Sequence, residues 1–452
     1  PPAPGAAAPA PPPRTSQPAA KTAPAKPNKP GMPAQVPLKF HKLSNGLQLV
    51  MVEDHKAPVV TFQVWYGVGS RDERQGITGT SHLLEHMMFQ GAKKYGKGQF
   101  DRTLLKNGGQ NNAFTTENYT AYYETFASDR LEIAFDLESD RMEGALMDAN
   151  QLKSEKEVVR EELRWRGENS PVGATWEALV SHMFISSSLH WPVGGWPADV
   201  ADVPRDDVYK HYQTYYRPDN ATVVIVGDFD TAGAIQLAEK YFAKLPAGKT
   251  FPRNTTKELP QLGERRVELI KPVDTPVVMA GYHIPPAGHN DLYALALLDI
   301  ILSSGESSRM YQTLVYKDRI AQSVETGMER GRDASIFYAL VQPLPGKSAA
   351  QAETAMENEL AKVVTNGVEA RELTKAKNIA QARYVFARES AEGLATEIGT
   401  TAALTKPEDY NTYLDKIMAV KVGDLQRVAK AYFGRTNRTV VTLHAPAKKG
   451  GK

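Results

Sequence analysis

The chain has 452 residues, 41% hydrophobic and 23% charged, with a net charge of +2, which suits a soluble globular protein of two or three domains and gives no basic excess for nucleic acid. No stretch approaches the roughly 18 uninterrupted apolar residues of a membrane helix. The absence of cysteine excludes disulfides, thiolate metal sites and a cysteine nucleophile, and leaves the redox compartment open.

Residues 1–36 are almost wholly Pro, Ala, Lys and small polar residues, too poor in apolar surface to pack, and predict an extended arm. A chain starting at Pro1 is expected to have been processed or trimmed. Such arms often follow a cleaved export signal, so a periplasmic location is the expectation, with an exposed internal linker as the other reading. Globular sequence starts near Pro37. Leu47–Val52 and Val59–Tyr66 read as strands joined by the polar turn Glu53–Lys56. A short helix follows Gly79, with Thr80 as its N-cap. Tyr119–Phe126 alternates as a strand, Gln151–Glu168 has a helical pattern, and Thr222–Val226 reads as a buried strand. Strands in groups with helices between and after them indicate an α+β fold, each sheet mostly antiparallel and packed with helices.

A stretch over 246–264, rich in Pro, Gly and Thr, separates an N-terminal domain (37–245) from a C-terminal one (265–447), and 448–452 form a solvated tail. Val203, Asp207, Tyr215, Asn220 and Thr222 recur as Val420, Asp424, Tyr432, Asn437 and Thr439, each pair 217 positions apart. A fixed offset across a helix, an aromatic pair and a Val-rich strand indicates two duplicated domains.

His82-Leu83-Leu84-Glu85-His86 has no counterpart in the second half. Residues four apart lie one above the other on a helix, so one divalent cation could meet both His82 and His86, with Glu85 beside them as a general base toward a metal-bound water. The bland reading is two surface histidines and a solvated glutamate. A catalytic zinc site needs a third protein ligand and an open fourth position. Carboxylates are abundant in Glu155–Leu163, where Glu155 and Glu162 lie two turns apart and share a face with Val158 and Val159. Glu157 and Glu161 fall on the Lys156/Arg160/Arg164 side as surface ion pairs. Spacing alone leaves Glu162 a candidate.

Gly69-Ser70-Arg71-Asp72-Glu73, followed by Gly79-Thr80-Ser81 and His82 to Gly91, resembles the pitrilysin/insulinase family of zinc peptidases, which carry this inverted motif. The resemblance extends over about residues 37–445 and suggests the short two-domain bacterial type, similar to mitochondrial processing peptidase subunits. It implies one Zn2+ per chain held by His82, His86 and Glu162, with Glu85 as the base and Glu155 as a support behind the ligands. Glu162 stands 76 positions beyond His86, in the family's Glu-x6-Glu pattern. Asn112 and Ala113 match an edge strand that binds extended peptide substrates, and Gly305–Gln312 resembles a packing helix of the duplicated domain. The family's Arg and Tyr that hold substrate over the metal are replaced by Val315 and Gln322. This departure implies the metal-bearing subunit of a heterodimer, completed by a related subunit with the Arg/Tyr pair, in preference to a homodimer. The function implied is a zinc endopeptidase for oligopeptides or unfolded segments. Alternatives are a non-catalytic scaffold subunit and a structural zinc site, the latter disfavoured because such sites usually close all four positions with protein ligands.

Overall fold

A computed structural model describes residues 32–248 and 251–446, without the side chain of Glu168. The expected arm up to residue 31, positions 249–250 of the expected linker and the C-terminal tail lie outside the described residues. From Leu38 onward the chain is built on two mixed sheets.

The first sheet contains β1 (Lys39–Lys42), β2 (Gln48–Glu53), β3 (Val59–Tyr66), β4 (Gln110–Thr115), β5 (Thr120–Ala127) and β6 (Ala221–Gly227), in the order β1-β2-β6-β3-β5-β4. The second contains β7 (Arg265–Ile270), β8 (Val277–Ile284), β9 (Ala321–Glu329), β10 (Ser335–Pro343) and β11 (Arg438–His444), in the order β7-β11-β8-β10-β9. Apart from β1 the wiring is the same: a parallel pair, β2 with β6 and β7 with β11, followed by three antiparallel pairings. Both sheets are therefore mostly antiparallel, as expected.

The duplication extends to individual hydrogen bonds. The helices Arg205–Tyr215 and Val422–Tyr432 each lead into a 3-10 turn and a central strand. In that turn Asn220 Nδ2 donates to the Tyr215 carbonyl at 2.9 Å, and Asn437 Nδ2 donates to the Tyr432 carbonyl at 2.8 Å. Both asparagines satisfy the last turn of the preceding helix, whose carbonyls lack intrahelical partners.

β3 is buried along nearly its whole length because both its faces are covered. Val60, Phe62, Val64 and Tyr66 join the core shared with the motif helix Thr80–Met87. On the other face lies the helix Ala391–Leu404, which comes from the second half of the chain. Gln63 Nε2 donates to Thr396 Oγ1 at 3.1 Å, and Thr125 Oγ1 donates to Glu392 Oε2 at 3.0 Å. Gly399 sits so close that an added Cβ would stand 2.0 Å from the Trp65 ring. The reciprocal cover is the helix Pro171–Met183 of the first half, whose Leu179 and Met183 pack with Val277, Met279, Val441 and Leu443 of the second sheet. There Gly281 meets Met183, and a Cβ would lie 2.4 Å from the sulfur. Each covering helix starts on the same cap: Ser170 Oγ accepts from Gly173 N, and Ser390 Oγ from Gly393 N, both at 3.0 Å. The stretch expected as a linker has no regular element over 251–264 but is tied down. Glu258 accepts the backbone N–H groups of Ile185, Ser186 and Ser187, and Arg253 donates to Asn220 Oδ1 at 2.8 Å.

Three expectations need correction. Thr80 is the first helical residue and not the cap, which falls at Gly79 with φ +83°, a left-handed conformation that glycine takes without a Cβ penalty. Val158 is 50% exposed while Val159 is buried in the core: the two point about 100° apart on the helix, and here only Val159 faces inward. In Gly305–Gln312 the first four residues form a turn; the helix starts at Arg309 and is π-wound over Tyr311–Lys317.

Under the first sheet lies a charged cluster. Arg141, 2% exposed, donates through Nε to Glu138 Oε2 at 2.8 Å and through Nη2 to Glu124 Oε1 at 3.0 Å. Its guanidinium stacks at 4.3 Å on Tyr122 and 4.5 Å on Phe100. Burial, then the Glu138 charge, pushes the Glu124 carboxyl above its ordinary range. Removing the one cation would strand two buried carboxyls. Arg141→Ala is expected to lower the unfolding free energy by about 3–5 kcal/mol, read from the midpoint of a urea titration.

Candidate metal centre

The motif helix is aimed by its apolar side. Leu83, Leu84 and Met87 enter the core, which turns His82, Glu85 and His86 toward the opposite face. Its N-terminus is capped by Glu73, a buried carboxylate eight residues before Ser81. Glu73 Oε2 accepts from Gly79 N at 2.7 Å and Oε1 from Ser81 N at 2.6 Å, so one side chain satisfies two free amides of the first turn. Burial pushes its carboxyl up to about 8, against the pull of these hydrogen bonds. Ser81 Oγ lies 3.1 Å from Nε2 of His211, whose basicity burial lowers to about 4.

The helix Ala149–Glu168 starts on Asp148, whose side chain accepts from Asn150 N and Gln151 N, and it packs against the motif helix. Glu162 Oε2 stands 3.7 Å from His82 Nε2 and 3.5 Å from His86 Nε2. The imidazoles meet edge to face at 79°, their centroids 4.9 Å apart. Tetrahedral ligands on bonds of about 2.0–2.1 Å would be separated by about 3.4 Å, so this spacing fits one small cation. Two imidazoles and a carboxylate form the donor set of a zinc site that leaves a position open. Among the described residues, these three are the ones whose ligand atoms all lie within 4.8 Å of one another.

The surroundings grade the proton affinities. His82, 5% exposed, is brought down to about 4, by burial first and then by the charge of His86. Hydrogen bonding to His86 is the main cause that lowers Glu162 to about 2. Burial opposes a charge on His86, but its hydrogen bonds to Glu162 and Glu155 prevail and raise it. His86 Nδ1 lies 3.2 Å from Glu155 Oε2, and Gln90 Nε2 donates to Glu155 Oε1 at 2.9 Å. Such a carboxylate orients an imidazole and makes it a better ligand. Glu85 stands apart from this network: Thr115 Oγ1 donates to its Oε2 at 2.6 Å, and burial raises its carboxyl.

A cavity of about 500 Å³ opens onto these groups, and Asn112, Ala113, Phe114 and Thr115 of β4 form part of its wall. β4 is an edge strand, and the Ala113 N–H is held by Asn112 Oδ1 at 2.8 Å. Every sequence-derived site residue, His82, Glu85, His86, Asn112, Ala113, Glu155 and Glu162, lines this one cavity. Glu157 and Glu161 bond Arg160 and Arg164 on the exposed side. Val315 is half-buried on the π-wound segment and Gln322 is exposed on β9; neither lines the cavity. Sequence reasoning missed Glu73, Gln90, Thr115 and Arg166. Gln90 is four residues from His86 and Arg166 four from Glu162, so helical spacing carried a signal for both. Thr115 reaches Glu85 through strand-to-helix packing, which leaves no local pattern.

Known proteins resemble this chain over most of its length. Residues 48–193 match the insulinase family (peptidase family M16), and residues 202–380 match the family's domain described as the M16 inactive domain. A Helicobacter pylori protein named zinc protease PqqE is 31% identical over 91% of this chain and 94% of its own. The chain belongs to the insulinase family of peptidases. A Bacillus subtilis protein named as an uncharacterized zinc protease, YmxG, is 26% identical over 88% of this chain and 96% of its own. The crystal structure of a Helicobacter pylori protease superposes with a TM-score of 0.87 at 30% identity, covering 90% of this chain and 99% of that one. The periplasmic protease PqqL of Escherichia coli shares the fold, with a TM-score of 0.74 at 18% identity, over 93% of this chain and 48% of that one. No helix among the described residues is long and apolar enough to cross a membrane. The metal motif falls in the first matched region and the name "inactive domain" belongs to the second.

Because Glu73 accepts from two buried amides, Glu73→Gln replaces one acceptor with an NH2 facing an N–H. The loss is expected to cost about 1–3 kcal/mol, seen as a lower melting temperature of the metal-free protein.

Proposed function

We propose that the chain is a zinc-dependent endopeptidase for oligopeptides or unfolded protein segments, with His82, His86 and Glu162 as the ligands. The observation that carries this reading is the seating of Glu162 Oε2 between two histidine Nε2 atoms while the neighbouring Glu85 is held away by Thr115. Bound zinc would supply a Lewis acid and bring the pKa of a coordinated water toward about 7. Glu85, raised by burial, suits a base that takes the water's proton and returns it to the leaving amine. Glu155 steadies His86 from behind. The open edge of β4 suits a peptide that adds a strand through its backbone, which favours extended substrates over folded ones. A scaffold subunit would have no use for this graded cluster.

The reading extends to assembly and location. The absence of Arg and Tyr at positions 315 and 322 supports the reading of this chain as the metal-bearing subunit of a clam-like heterodimer. In support, this chain matches about half of PqqL. The composition of residues 1–36 and the periplasmic setting named for PqqL support export to the periplasm.

Glu85→Gln should keep stoichiometric zinc and lose about 10²–10⁴-fold in peptide hydrolysis. Glu162→Gln should lose zinc on dialysis while Glu161→Gln keeps it. Equal zinc retention in both would contradict the ligand assignment. The purified chain should bind zinc yet cleave peptides slowly, and a related subunit bearing the Arg/Tyr pair should restore the rate. Full turnover by the lone chain, unchanged by any such partner, would refute the heterodimer.

A further inference from the structure

Glu162 divides the work of its two oxygens. Oε2 stands between the histidine Nε2 atoms, at 3.7 and 3.5 Å, while Oε1 accepts from the guanidinium of Arg166, one turn further along the same helix. The Arg166 side chain is 59% exposed, so core packing does not hold it there, and it lines the same cavity as His82, Glu85 and His86. Most surface pairs at this spacing contribute little. This one ends on a carboxylate that is itself aimed at two imidazoles.

A carboxylate can bind a metal through one oxygen or two. In a hydrolytic zinc site the difference matters, because a second oxygen would occupy the position that the reacting water needs. We propose that Arg166 is a positioning residue that retains Oε1 in a charge-assisted hydrogen bond, so that Glu162 offers the metal a single oxygen and the fourth position stays open. By drawing charge from the carboxylate, the guanidinium would also leave a bound metal a stronger Lewis acid. The inference rests on the zinc reading above. It makes an uncommon demand: loss of Arg166 leaves metal affinity intact or higher, since Glu162 gains a second donor, while hydrolysis falls.

The test substitutes cobalt(II) for zinc in the full chain and compares wild type with Arg166→Gln and Arg166→Lys. Four-coordinate cobalt absorbs visible light much more strongly than five-coordinate cobalt. Arg166→Gln should therefore bind cobalt at least as tightly as wild type, with a weaker visible band, and should lose about 10–100-fold in kcat with little change in KM. Arg166→Lys, which can still donate to Oε1, should recover most of the band. An unchanged cobalt band in Arg166→Gln would overturn the inference, as would a tenfold loss of metal affinity. Either result would mark the arginine as ordinary helix support. Failure of the wild-type chain to bind cobalt or zinc would instead overturn the metal-site reading.

Discussion

A carboxylate can stand between two imidazoles inside a fold only if something else fixes all three side chains, because left to themselves they would turn toward water. Here the two histidines are fixed by the burial of one face of the motif helix, and Glu162 by the packing of its own helix, Ala149–Glu168, against it. Leu83, Leu84 and Met87 are inaccessible, and fully burying such side chains is worth roughly 1.5–3 kcal/mol each. That is enough to set the rotation of two helical turns. Once that rotation is set, His82 and His86 point at Glu162 and Gln90 follows four residues on, while Glu155 and Arg166 are placed by the helix that carries Glu162. The cap from Glu73 then sets where the helix begins, and so where along its axis the histidines lie.

Much of this was legible in the sequence, for reasons that differ by element. The histidine spacing and the Glu155–Glu162 pair are local patterns within single helices, and helical periodicity carries them directly. The duplication was legible because both halves keep the same helix-turn-strand register, down to the asparagines at 220 and 437. Three readings of local sequence failed. Thr80 has the chemistry of a cap, yet the cap is a carboxylate from another loop. Val158 is apolar but faces solvent, since Val159 takes the buried direction. The glycine at 305 opens a turn and the helix begins later. What covers the second face of each sheet was not legible, because a run such as Val59–Tyr66 announces burial without naming its neighbour.

The two halves keep one wiring and differ in chemistry. In the second, the helix that follows the first long strand, Asp291–Ser303, is apolar nearly all round and almost wholly buried, and it presents no imidazole. Its two acids serve the fold: Asp291 accepts from Arg427 and Tyr432, and Asp299 from Thr326. The corresponding short helix of the first half carries a polar face instead, where Ser81 meets His211 and Glu85 accepts from Thr115, while Glu73 holds the first amides of the helix. Conservation of the asparagine and serine caps in both halves indicates that these turns are needed by the fold itself.

The crossed covering helices bear on how such a chain could arise. Pro171–Met183 belongs to the first half and shields the second sheet, while Ala391–Leu404 belongs to the second and shields the first. A lone ancestral half would have had a sheet face left wet and a helix with nowhere of its own to lie. Two identical copies could have cured both defects at once by lending each other that helix, a symmetric exchange that costs little when the elements are the same. The crossed cover means that neither half closes its own sheet, and each is expected to need the other in order to fold.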